Sequence, residues 1–169
     1  MIDKKKLEGF AIFKDLNDAQ LAEVCKKLVE RGYEENETIF SEGDIGTSLF
    51  LLLEGEVEIT QALTLNIDHS EIDNREKSLI RLDASIKTFF GEVGLIEKDG
   101  VRTATVRTTL DSKIARLSKK DFKELTEKDP VLGTKLLGNI AEVLCQRLRT
   151  TNNNVLKITT AFSLALSKQ

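Results

Sequence analysis

Between Ile39 and Leu117 the chain is cut into short β-rich segments by glycine turns, which limits this stretch to a small sandwich or barrel. Ile39-Phe40 is a short apolar pair, and Ser41-Glu42-Gly43-Asp44-Ile45-Gly46 is a turn cluster. Residues 48–53 form an apolar run. Glu54-Gly55 then turns the chain into Glu56-Val57-Glu58-Ile59-Thr60, which alternates with period two. Residues 77–82, 103–108 and 112–117 read as further strands. The polar stretch 65–76 reads as a long, mobile surface loop between two strands.

Helical periodicity brackets this region. Residues 1–6 are polar and expected to fray. Leu7, Phe10, Ile12 and Phe13 can pack against a helix that starts after Asn17, where Gln20 completes a capping box and Leu16 stands where a hydrophobic staple would sit. Leu21, Val24, Cys25 and Leu28 recur along it. Helix returns near Ser118 and Asp121, with Phe122 and Leu125. Asp129-Pro130 is a strong start signal, a capping carboxylate followed by Pro at the first helical position. Leu132, Leu136, Leu137, Ile140, Val143, Leu144 and Leu148 form a wide apolar stripe. Asn152-Asn153-Asn154 could end that helix, and Val155, Leu156, Ile158, Phe162, Leu164 and Leu166 restart the pattern. Helix, strands, then helices predict an α+β layout. The expected division is a β unit with N-terminal helices over 1–128 and C-terminal helices over 129–169.

With 169 residues the chain suits one domain, or one domain with an extension, and can bury a sizeable core. A net charge of −3 is no footprint for non-specific nucleic-acid binding. Cys25 and Cys145 lie far apart in apolar helical patterns and read as small core residues; they allow no structural zinc site. No signal peptide and no apolar run of membrane-spanning length is seen, so a cytoplasmic protein that meets neither membrane nor nucleic acid is expected. A single histidine, His69, sits in the polar loop, and neither a nucleophilic triad nor a metal-ligand set is legible. No catalytic residue, metal or cofactor is predicted.

The chemistry concentrates in Phe90-Gly91-Glu92-Val93-Gly94-Leu95-Ile96 and Val101-Arg102-Thr103-Ala104-Thr105-Val106. Gly91 and Gly94 let the backbone approach a ligand. A short helix starting near Gly91 would aim N–H groups at an anion. Arg102 can give a planar fork to a phosphate. Glu92 would repel a phosphate and makes sense beside one only as an acceptor for hydroxyls. Together they suit a sugar phosphate. The same residues also fit a strand-end turn carrying a surface Glu–Arg pair.

These two stretches resemble the phosphate-binding cassette of the cyclic-nucleotide-binding domain family, the family of bacterial catabolite activators, kinase regulatory subunits and cyclic-nucleotide-gated channels. The cassette of that family reads Phe-Gly-Glu-aliphatic-Ala/Gly-Leu, a loop, then Arg-Ala/Ser/Thr-Ala. Here it is Phe90 to Leu95 and Arg102 to Ala104. A second family stretch is present as Ile39-Phe40, Glu42-Gly43-Asp44, Gly46, the run 49–53 and Gly55-Glu56-Val57. The resemblance spans about residues 7–156.

It implies an eight-stranded antiparallel β-roll of jelly-roll type, with N-terminal helices and a long C-terminal helix. Glu92 would take the ribose 2′-hydroxyl. Arg102 and the Thr103 hydroxyl would hold the cyclic phosphate, with backbone N–H groups around Gly91 and Val93 and with Ala104 in the same stretch. Residues 146–152 are similar to the activators' base-contacting stretch, which makes Thr151 and Asn152 the candidates for the base. The ligand would be cyclic AMP, with measurable cyclic GMP binding, read out by movement of the C-terminal helices in a homodimer coupled to an unknown output protein. The chain departs from the family in its longer 65–76 loop, in the missing Gly within 83–89, in a C-terminal helix about one turn longer, and in ending before a helix-turn-helix could fit. The rival expectations are a drifted roll used for dimerisation or docking without nucleotide, and the sensor part of a transcription regulator.

Overall fold

A computed structural model of the protein describes residues 2–62 and 76–167. His69 and nearly all of the 65–76 stretch lie outside the described residues. The strands are β1 (Val29–Tyr33), β2 (Thr38–Phe40), β3 (Ser48–Glu54), β4 (Glu56–Ala62), β5 (Glu76–Asp83), β6 (Phe89–Phe90), β7 (Thr105–Thr108) and β8 (Ser112–Ser118). They form two four-stranded sheets, in the orders β1-β8-β3-β6 and β2-β7-β4-β5, with every pairing antiparallel. The sheets are not closed. The fold is an α+β roll with a long C-terminal helix, as expected.

Strand β3 explains the layering. Its run from Ser48 to Leu53 is buried on both faces. Leu49, Leu51 and Leu53 face the helices and pack with Phe10, Ile12, Val24, Leu132, Leu136 and Ile140. Phe50 and Leu52 face the other sheet and pack with Val57, Leu82, Phe90, Val106 and Ile114. A continuous apolar strand is what a position between two layers demands. Each such side chain contributes about 1.5–3 kcal/mol when fully buried.

Helix α1 (Asp18–Lys27) begins with the predicted capping box: Asn17 Oδ1 accepts from the Gln20 N–H at 2.8 Å, and Gln20 Oε1 accepts from the Asn17 N–H at 3.2 Å. A single turn, α2 (Val93–Ile96), follows β6. Helix α3 (Lys119–Lys128) is capped by Ser118. Helix α4 (Pro130–Leu166) is capped by Asp129, whose carboxylate accepts from the Leu132 N–H at 3.0 Å.

Several expectations need correction. Helix α4 runs unbroken through Asn152-Asn153-Asn154 for 37 residues, about 55 Å. Asn is a poor helix former but costs well under about 1 kcal/mol per residue, and no Pro or Gly stands there to break the backbone. Cys145 is exposed, unlike the buried Cys25, because it stands on a face of α4 that the buried cluster around Ile140 and Val143 does not cover. Residues 2–6 are held: Ile2 is buried, and Asp3 caps a 3₁₀ turn over Lys4–Leu7. Lys87 takes the left-handed conformation (φ 47°) within the stretch where the family usually has Gly. Its ammonium lies over the Phe10 ring, 5.6 Å from the centroid.

Candidate functional site

The predicted residues converge on one cavity of about 130 Å³ between the roll and α4. Phe40, Ile59, Phe90 and Val106 give it apolar walls. Gly91, Glu92, Val93, Arg102, Thr103 and Ala104 supply the polar side, and Arg147 from α4 joins them. Six of the eight predicted site residues therefore meet here. Thr151 and Asn152 do not line the cavity. They lie exposed on α4, beyond Arg147. A wider groove elsewhere is lined by Glu34, Glu37, Glu54 and Asp111, with Lys113 paired to Glu54. That charge set offers nothing to hold an anion.

Arg102 is only 5% exposed. Its Nη1 donates to the Gly91 carbonyl at 2.8 Å and its Nη2 to the Ser48 carbonyl at 2.9 Å. The guanidinium lies over the Phe40 ring, 4.1 Å from the centroid, where the ring face attracts a cation. Phe40 in turn packs on Phe50, and Phe50 stacks on Phe90 at 5.5 Å. The Nε of Arg102 is buried with no hydrogen-bond partner among the described residues. Burial lowers the Arg102 pKa from its ordinary value, and the carboxylates of Glu92 and Asp44 oppose that shift. Arginine stays charged regardless.

Gly91 holds φ +76°, a conformation side chains rarely allow, at the turn where β6 leads into α2. Glu92 follows at the N-cap of α2, yet its side chain caps nothing there. Its carboxylate instead accepts from Arg147 Nη1 at 2.8 Å, with the Glu92 side chain 10% exposed. Arg147 Nη2 also donates to Thr88 Oγ1 at 3.2 Å and to the Phe89 carbonyl at 2.5 Å, and the guanidinium lies 5.1 Å from the Phe89 ring centroid. Sequence reasoning missed Arg147. The available signal was an arginine one turn before Thr151 on the same helical face.

The site thus places a buried cation and a nearly buried carboxylate on one small cavity. The first suits an anionic oxygen, and the second suits a donor hydroxyl. Among the described residues no cluster of His, Cys, Asp and Glu could hold a metal ion.

Comparison with known proteins agrees with this reading of the fold. The family model described as "Cyclic nucleotide-binding domain" matches residues 30–129. The cAMP-activated global transcriptional regulator Vfr of Pseudomonas aeruginosa is 32% identical over 128 residues, which cover 74% of this chain and 53% of that protein. The cAMP-dependent protein kinase regulatory subunit of Eremothecium gossypii is 28% identical over 82% of this chain and 24% of its own length. The crystal structure of a cyclic nucleotide-binding domain from Methylobacillus flagellatus superimposes with a TM-score of 0.77 at 21% identity, covering 90% of this chain and 82% of that one. The chain belongs to the cyclic nucleotide-binding domain family. It spans about half the length of the bacterial regulators it matches.

Proposed function

We propose that the chain is a sensor module for a cyclic mononucleotide, with cyclic AMP as its main ligand, and that it regulates a partner without catalysing a reaction. The observation that carries this reading is the juxtaposition of Arg102 and Glu92 on one cavity. Arg102 takes the cyclic phosphate with Thr103, and Glu92 takes the ribose 2′-hydroxyl. Gly91, Val93 and Ala104 shape the turn and wall around them. The relatives named cAMP-activated and cAMP-dependent favour the adenine nucleotide. No cofactor is required.

Residues 1–128 bind, and 129–169 act as lid and dimer seam. Leu144, Leu148, Thr151, Val155, Ile158 and Phe162 follow one another at alternating steps of four and three along α4, the spacing of a coiled-coil seam. Leu148, Val155, Ile158 and Phe162 are each more than half exposed in the single chain. A second copy of the chain covers them, which brings Thr151 and Asn152 toward the base. Movement of α4, held to the site by Arg147, carries the signal to an output protein. Among the described residues no helix is long and apolar enough to cross a membrane, and the proposed compartment is the cytoplasm.

Calorimetry with cyclic AMP and cyclic GMP tests the reading. Dissociation constants between micromolar and tens of nanomolar, roughly 8–10 kcal/mol, are expected. Arg102→Ala weakens cyclic AMP by about tenfold or more, and Arg102→Lys fails to restore it because the fork is lost. A wild-type chain that binds neither nucleotide leaves only a docking role for the roll.

A further inference from the structure

Arg102 is buried, yet the two carboxylates whose charge reaches it are engaged elsewhere. Glu92 accepts from Arg147 Nη1 at 2.8 Å, and Asp44 Oδ2 accepts from the Ser41 N–H at 2.8 Å. The carbonyls of Gly91 and Ser48 each take a donor from one Nη. Carbonyl dipoles offset only part of what it costs to bury a full charge. The other group against the guanidinium is an aromatic wall. Its Cζ lies 4.1 Å from the Phe40 ring centroid and 5.5 Å from that of Phe50. Phe40 is braced in turn, 5.6 Å from the Phe50 ring and 6.2 Å from the Phe90 ring, centroid to centroid.

Strand β2 leaves its regular register to place that ring. Thr38 pairs with Arg107 and Phe40 with Val106, so two steps along β2 match one step along β7. The extra residue, Ile39, is a bulge, a device that re-aims side chains. In a regular strand Ile39 and Phe40 would point to opposite faces of the sheet. Here both pack against the cluster that holds Phe50, Phe90 and Val106, and Phe40 forms part of the cavity wall.

The ring and a phosphate do not compete for Arg102. A guanidinium offers its flat face to an aromatic ring and its edge to hydrogen-bond acceptors. With Phe40 on the face, the donors that the two carbonyls leave over stay in the plane of the fork, where a phosphate oxygen bonds.

We propose that Phe40 is a positioning residue for ligand binding: its ring, turned inward by the bulge in β2, stands in for a counter-ion and holds the Arg102 fork in place for the phosphate. The proposal rests on the sensor reading above. Leucine at position 40 would keep an apolar wall but offer no ring face to the cation.

The test is a double-mutant cycle of wild type, Phe40→Leu, Arg102→Ala and the double variant, read by cyclic AMP calorimetry and by ligand-free melting. Phe40→Leu should cost about three- to tenfold in affinity, the range of one desolvated cation–π contact, and should lower Tm. In the Arg102→Ala chain the affinity loss should vanish and the Tm loss should shrink, because only packing on Phe50 and Phe90 is then removed. Phe40→Tyr keeps a ring face and should restore most of the affinity. Wild-type affinity in Phe40→Leu overturns the proposal. So does an affinity loss that persists in full without Arg102, which would make Phe40 a plain wall against the ligand, and so does a loss in Phe40→Tyr as large as in Phe40→Leu. A wild-type chain that binds no cyclic nucleotide but shows the coupled Tm losses instead overturns the sensor reading, while the hold of Phe40 on Arg102 stands.

Discussion

Arg147 Nη1 donates to Glu92 Oε1 at 2.8 Å, and this ion pair ties helix α4 to the cassette. The pair is asymmetric: the Glu92 side chain is 10% exposed and that of Arg147 36%. Glu92 is the partner that loses most if the contact breaks, since a nearly buried carboxylate needs a charged donor. Arg147 loses less, because its head reaches solvent.

The first prediction follows from that asymmetry. Arg147→Ala leaves Glu92 without its donor and cuts α4 loose from Thr88 and Phe89. Cyclic AMP affinity should fall about three- to thirtyfold, the range expected for one charged hydrogen bond. Hydrogen exchange over 144–155 should slow on ligand addition in the wild type and respond much less in the variant. An unchanged exchange response in R147A would show that α4 reads the ligand by another contact.

Thr103 decides the second prediction. It sits on the cavity rim, exposed, next to Arg102. Its hydroxyl can bond the phosphate of either nucleotide, and can also accept from the 2-amino group of a guanine folded over the ribose. One such bond is worth about 0.5–1.5 kcal/mol, a preference of about tenfold at most. Thr103→Ala should therefore cost cyclic GMP more than cyclic AMP in parallel titrations. Equal losses would assign the hydroxyl to the phosphate alone.

The third prediction concerns the seam. Ile158 is 68% exposed on helix α4 of the single chain. Ile158→Glu places a charge in the a/d stripe, where a coiled coil tolerates it poorly. Light scattering at concentrations on the order of tens of micromolar should show a wild-type dimer and a monomeric variant. A wild-type monomer with and without cyclic AMP would refute the seam.

What could be read from the sequence followed the strength of each local signal. Strands β3, β4 and β8 were legible because they are apolar runs or period-two patterns between turn residues. Strand β1 was not: Glu30, Arg31 and Gly32 give it no pattern, and it is a strand because Val29–Tyr33 pair along the edge of β8. Strand β6 is two residues long, too short for any period. At the site, Glu92 and Arg102 were legible because their motif is contiguous. Arg147 lies 55 residues from Glu92, and only the packing of α4 across the roll brings them together. The path of α4 through its asparagines was hidden for a related reason. Propensity is a weak prior, and three asparagines with no Pro or Gly beside them do not end a helix.

The last prediction uses the clasp at the start of α4. Asp129 accepts from the Leu132 N–H at 3.0 Å and from Gln20 Nε2 at 3.2 Å, and Lys135 Nζ donates to Gln20 Oε1 at 3.1 Å. The Leu132 N–H, then Gln20, hold the Asp129 carboxyl below its ordinary value, with a smaller contribution from the charge of Lys135. Glu23, bonded by Lys26 and Lys128, is lowered from its ordinary 4.5 to about 2. Ser118, then Lys27, lower Asp121. A carboxyl depressed in the folded chain stabilises fully above its unfolded pKa, and that contribution fades as pH falls toward the folded pKa. Tm should therefore change little through these groups from pH 8 to about 5 and fall below about pH 4. These side chains meet solvent, so salt should flatten the fall. Asp129→Asn keeps an oxygen for the Leu132 N–H but cannot titrate. Its Tm should lie below wild type at pH 7, and the two curves should converge as the pH drops below about 4. Parallel curves across the whole range would mean that the charge of Asp129 adds nothing to the cap.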